Sequence, residues 1–160
     1  MSKVNELSAI IHRVVRNHPA FFQSMGAGSG NNASNIFVKE LHIEASQVFG
    51  KEAVERPVGL TGMKVDYYFA EERTIVELAR LVKNPSSEFY KDILKALLAR
   101  DYFAVDKLVF FGGPDSEIKC KTPSRKAIID WVYKTHGLHV EVYDILPSAE
   151  LIPSDNLEES

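Results

Sequence analysis

The chain has 160 residues, 45% of them hydrophobic and 26% charged, which suits one domain with its own core and argues against global disorder. No apolar run approaches the roughly 18 residues of a membrane span. The N-terminal stretch lacks the apolar centre of a secretory signal, and a single cysteine, Cys120, excludes an intramolecular disulfide and a multi-cysteine zinc site. The expectation is a cytoplasmic protein with no membrane partner. The net charge of −3 is uneven: residues 56–135 carry 14 Lys/Arg against 11 Asp/Glu, whereas 136–160 hold six acids and no Lys or Arg. A mildly basic middle permits a polyanionic partner without demanding one.

Val4, Leu7, Ile11 and Val14 recur at helical spacing behind Ser2, a good N-cap residue, and predict a helix over Val4–Arg16. The stretch "SMGAGSGNNASN" reads as a flexible loop, with neither the Lys-Ser/Thr of a Walker loop nor the third glycine of a dinucleotide fingerprint. A second helix starts near Ser34 or Asn35 and ends at Phe49, with Phe37, Leu41, Ala45 and Val48 facing inward and Gly50 as its stop. "RPVGLTG" breaks the helix and leaves room for a short strand over Val58–Leu60. A hairpin follows, Met63–Phe69 and Thr74–Val82. Asn84 and Pro85 then open a helix that runs to about Arg100, its apolar face marked by Phe89, Ile93, Ala96 and Leu97.

"VDKLVFFGG" predicts a strand buried on both faces. "TPSRKAIIDWVYKTHG" predicts a helix capped by Thr122, opened by Pro123 and closed by Gly137, with Trp131 on its buried stripe beside Ile128 and Val132. "LHVEVYDI" is a final strand, and the acidic residues 146–160 form a loosely held tail. The succession predicts a single α/β domain over residues 1–145, made of an N-terminal helix and glycine-rich loop (1–33) and a core (34–145) whose mixed sheet is flanked by helices.

The hairpin "GMKVDYYFAEERTIVEL" carries the chemistry. Lys64, Asp66 and Tyr68 alternate onto one face, and a turn centred on Glu71–Glu72 sets Asp66 opposite Glu77 and Lys64 opposite Ala79. Two opposed carboxylates repel, so this register calls for a cation between them or a lysine beside them. Magnesium suits such a place, because it takes one or two protein carboxylates and keeps several waters. The backbone carbonyl of Leu78, between the two inward-facing positions, is a natural further ligand. The competing reading is a cross-strand ion cluster on a solvated face.

This layout resembles the PD-(D/E)XK nuclease superfamily, the restriction-endonuclease-like fold, over roughly Ser34–Ile145. "KVD" stands where that superfamily carries its strand aspartate, and "VEL" where its Glu-x-Lys begins. The resemblance implies catalytic metal ligands in Asp66 and Glu77, a further ligand in a glutamate of the first core helix (Glu40 ahead of Glu44), Mg²⁺ as cofactor with Mn²⁺ as substitute, and hydrolysis of DNA rather than RNA. Position 79 is alanine where the superfamily's lysine stands, and Lys64 is the expected replacement ammonium, ahead of Lys83 and Lys91. Lys119, Lys121, Arg125 and Lys126, gathered at the start of a helix, are the candidate contacts to nucleic-acid phosphate. The substitution at Ala79 leaves a second reading open, a non-catalytic nucleic-acid- or protein-binding module that retains the fold. A homodimer or another protein partner is compatible with either.

Overall fold

The computed structural model describes residues 1–18, 31–79 and 85–146. Most of the glycine-rich loop, Lys83 with the end of the expected second hairpin strand, and all but the first residue of the acidic tail lie outside the described residues. Helix α1 (Lys3–Arg16) is capped by Ser2, whose hydroxyl accepts the Asn5 N–H at 3.1 Å. Helix α2 (Asn31–Phe49) begins earlier than its apolar pattern suggests. Its buried stripe is Phe37, Leu41 and Ala45, but Val48 is 56% exposed. Phe49 closes the stripe instead, because its larger ring reaches Phe69 with centroids 4.8 Å apart.

Strand β1 (Val54–Pro57) lies upstream of the expected Val58–Leu60. The latter residues form a reverse turn in which Val58 N–H donates to the Met63 carbonyl at 2.9 Å, with Gly59 and Gly62 in the left-handed region. Glycine-rich sequence there specifies the turn between two strands rather than a strand. Strands β2 (Lys64–Phe69) and β3 (Thr74–Ala79) are joined by a 3₁₀ turn, Ala70–Glu72, and by Arg73 at φ 50°. Their pairs, Tyr67–Val76, Tyr68–Ile75 and Phe69–Thr74, are those of a turn centred on Glu71–Glu72.

Helix α3 (Pro85–Ala99) leads to β4 (Lys107–Gly112), and a five-residue helix α4 (Ser116–Cys120), too short to leave a periodic signature, precedes α5 (Pro123–His136) and β5 (His139–Asp144). The Thr122 hydroxyl does not cap α5; it donates back to the Lys119 carbonyl at 2.8 Å. Trp131 is 51% exposed rather than part of the core, because α5 packs through Val132 and a residue one step away is rotated by about 100°. Gly137 ends the helix at φ 69°.

The described residues thus form an α/β protein of five helices and a five-stranded mixed sheet in the order β1-β2-β3-β4-β5, antiparallel through β3 and parallel from there on. Alternation along the strands gives each face its own core. Tyr67, Phe69, Val76, Val109 and Phe111 pack beneath α1 and α2. Tyr68, Ile75, Leu108 and Phe110 pack with Phe89 and Ile93 of α3 and Val132 of α5. No described helix is long and apolar enough to cross a membrane.

The end of α2 gives a direct check. Leu41→Ala should cost about 2–5 kcal/mol in urea unfolding, and Val48→Ala within about 0.5 kcal/mol.

Candidate active site at the fork of the central hairpin

Pairing of β2 with β3 runs from the turn as far as Tyr67–Val76 and ends there. At the next position side chains replace backbone partners. The Asp66 carboxylate Oδ2 accepts the Leu78 N–H at 2.8 Å, and Glu77 Oε2 lies 3.4 Å from the Asp66 N–H it faces. A strand residue directs its N–H and C=O toward the same neighbouring strand. The Leu78 carbonyl therefore faces the fork beside Asp66.

Glu77 is 3% exposed and lies on the α3 side of the sheet with Ile75. Helix α3 brings it a cation: Lys95 Nζ is 2.8 Å from Glu77 Oε1 and 3.1 Å from Asp92 Oδ1, one helical turn earlier. Lys95 and Asp92 are each 9% exposed. The Lys95 ammonium is thus the partner of the buried Oε1, while Oε2 is the oxygen that faces Asp66. Burial, reinforced by the charges of Asp66 and Asp92, pushes the Glu77 carboxyl well above the usual carboxylate range. For Lys95, burial pulls the other way but is outweighed by Glu77 and Asp92, so it is held as an ammonium above its ordinary range.

The other sequence-predicted residues sit elsewhere. Lys64 is exposed and pairs with Pro57 on β1, because the strands have parted before Ala79 could face it. Lys91 is exposed and lies 3.9 Å from Glu88. Glu40 belongs to α2, across the sheet from Lys95, and pairs with His18; Glu44 pairs with Arg13 at 2.5 Å. In the basic group, Lys121 and Lys126 are exposed, Lys126 with Asp130 at 2.5 Å, while Arg125 donates to the Lys119 carbonyl at 2.9 Å. Cys120 is buried, and burial pushes its thiol upward, which removes the thiolate character a reactive cysteine needs.

Lys95 and Asp92 escape a reading of strand alternation alone. Their sequence signal is an acid and a lysine at i, i+3 along the edge of the face that buries Phe89, Ile93 and Ala96.

The described residues contain no set of three His, Cys, Asp or Glu side chains placed to hold a metal together. The donors at the fork are two carboxylates and one carbonyl, all hard oxygens, of a kind suited to an ion that keeps much of its water. Asp66, Glu77 and Asp92 outnumber the one buried ammonium three to one, so the donor set and the local excess of acid fit a divalent cation, with Glu77 Oε2 as the oxygen beside Asp66.

No family model matches the sequence, and neither the curated proteins nor the solved structures contain a match.

The roles of the two lysines separate by stability alone. Lys95→Met leaves Glu77 buried without its cation and should cost about 3 kcal/mol near neutral pH, against about 0.5 kcal/mol or less for exposed Lys64→Met. Without Lys95 the folded-state carboxyl of Glu77 stays raised above its unfolded value. The loss should therefore be smallest below the ordinary carboxylate range and grow as pH rises through the raised folded value, as read by urea unfolding across pH.

Proposed function

We propose that the chain is a restriction-endonuclease-like, metal-dependent nuclease that hydrolyses DNA phosphodiester bonds, with Asp66, Glu77 and Lys95 as its working groups. The observation that carries this reading is the Lys95 ammonium, delivered by α3 to within 2.8 Å of Glu77 while the strand position at Ala79 holds no cation. Two carboxylates on diverging strands with one ammonium beside them form a set that both binds positive charge and donates to developing negative charge.

Asp66 and Glu77, with the Leu78 carbonyl, would hold Mg²⁺, or Mn²⁺ in its place. A cation there supplies Lewis-acid polarisation of the phosphodiester and activation of water. Asp66, fixed by the Leu78 N–H, keeps its carboxylate at the mouth of the fork. Lys95, held protonated by its two acids, acts as a hydrogen-bond donor and a fixed positive charge for the phosphate oxygens, and not as a general base. The exposed Lys121 and Lys126 would track the polymer backbone, a contact that weakens with salt. Glu40, bound to His18 on the far side of the sheet, takes no part in this scheme.

A second reading, a non-catalytic nucleic-acid- or protein-binding module, is favoured by the same close contact, since an ammonium on Glu77 already neutralises one of the acids. Cleavage separates the two. Plasmid, linear duplex, single-stranded DNA and RNA would be incubated with the protein in Mg²⁺ and in Mn²⁺. Asp66→Ala and Lys95→Met are each expected to lower cleavage by about 10²–10³-fold, and Lys64→Ala by less than about three-fold, too small a change for a fixed charge at the reacting phosphate. Equal cutting by wild type and Asp66→Ala would exclude the fork as the site, and intact substrates throughout would favour the binding module.

A further inference from the structure

Asp92 is left over by the scheme above. It is an acid one turn before Lys95, 9% exposed on the inward side of α3, and its recorded partner among the described residues is the Lys95 ammonium at 3.1 Å. An apolar residue of the same size would fill this place without the cost of desolvating a charge. Lys95 is thereby shared between two acids on different elements, Glu77 on the sheet at 2.8 Å and Asp92 on its own helix.

We propose that Asp92 is a positioning residue that gives the Lys95 ammonium a second partner, so that a divalent cation can take Glu77 without leaving Lys95 buried and unpaired. The inference rests on the reading that Asp66 and Glu77 hold a cation. Lys95 holds Glu77 through Oε1, whereas Oε2 is the oxygen beside Asp66 at the fork. A cation at Oε2 would share one carboxylate with the ammonium at Oε1, and the two would repel. With Glu77 alone as partner, the buried ammonium would face that second positive charge across a carboxylate it already claims. With Asp92 already at 3.1 Å on the same helix, rotation about the end of the lysine chain suffices, and α3 need not move. Asp92 thus acts on the cation through Lys95. A plain through-space charge at Asp92 would favour the cation whether or not Lys95 were present.

That difference is measurable without catalysis. Mn²⁺ would be titrated calorimetrically into the full chain as wild type, Asp92→Asn, Lys95→Met and the double variant, with circular dichroism melts to establish folding. Asp92→Asn is expected to weaken Mn²⁺ binding on the order of ten-fold in the wild-type background and less than about two-fold beside Lys95→Met, a coupling typical of directly interacting side chains. Asp92→Glu, which keeps the charge, should bind within about three-fold of wild type, well short of the loss of a full interaction. If Asp92→Asn or Lys95→Met fails to fold, Asp92→Ser and Lys95→Gln complete the same cycle. A ten-fold loss in both backgrounds, or none in the wild type, overturns the role of Asp92 and leaves the metal site standing. Mn²⁺ binding to Lys95→Met but not to wild type does so too, since Lys95 would then have no alternative partner. Absence of binding in every variant removes the metal reading itself.

Discussion

Where β2 and β3 part, a carboxylate takes over a backbone hydrogen bond, and the site depends on that substitution. Past Tyr67–Val76 the Leu78 N–H has no strand partner, and Asp66 Oδ2 fills the place at 2.8 Å. An open fork in a sheet would ordinarily expose unpaired N–H and C=O groups. Here it fixes an acid at the sheet's edge, brings Glu77 beside it, and turns the Leu78 carbonyl toward the same opening. The fork is itself a consequence of the neighbouring strands. Residues Thr74–Ala79 pair with Lys107–Gly112 along their whole length, so β3 stays straight in the sheet while β2 peels away toward β1.

Placing acids at such a fork creates an electrostatic problem that the helix packed over Glu77 answers. Glu77 is 97% removed from solvent, and among the described residues neither β2, β3 nor β4 brings it a cation. The answer comes from α3, through a lysine whose stem is buried with the helix. A hydrophobic pair in the same space would make a more stable fold, because desolvating two charges is rarely recovered by their attraction. Retention of three acids and one ammonium in a largely dry place is thus poor evidence for stabilisation and better evidence for a charge-dependent task.

The same logic marks what the sequence made legible. The hairpin register followed from the turn alone, since Glu71–Glu72 at its centre forces Tyr67 against Val76 and so Asp66 toward Glu77. The two-faced core followed from alternation in "VDKLVFFGG", whose residues divide between the helical layers as a doubly buried strand must. The cation did not follow, because strand alternation placed Lys64 near Ala79 by assuming that pairing continued past the fork. Which lysine fills the space depends on how a helix docks, and no local rule encodes that. Val48 and Trp131 were misplaced for a related reason. Helical spacing defines a stripe, but the neighbour's shape decides which residue at the stripe's edge is covered. Phe49 reaches Phe69 across a gap that Val48 does not close.

A helix-borne ammonium also differs mechanically from a strand-borne one. A lysine at position 79 would be located by the pleat of β3, the same element that carries Glu77, and the two would move together. Lys95 is located by the packing of α3 on the sheet, through Phe89 tilted against Phe110 with centroids 4.9 Å apart and Ile93 in the same core. The distance between ammonium and carboxylate is therefore a property of a helix–sheet interface. Close-packed interiors transmit even a methylene's change in volume, so the core beneath α3 is part of the apparatus that sets this distance. Asp92 offsets that dependence in part, because it rides on the same helix as Lys95 and keeps its spacing to the ammonium whatever the helix does relative to the sheet. The site thus combines one contact fixed within α3 with one fixed across the core, and the balance between them decides how much of the ammonium's charge Glu77 receives.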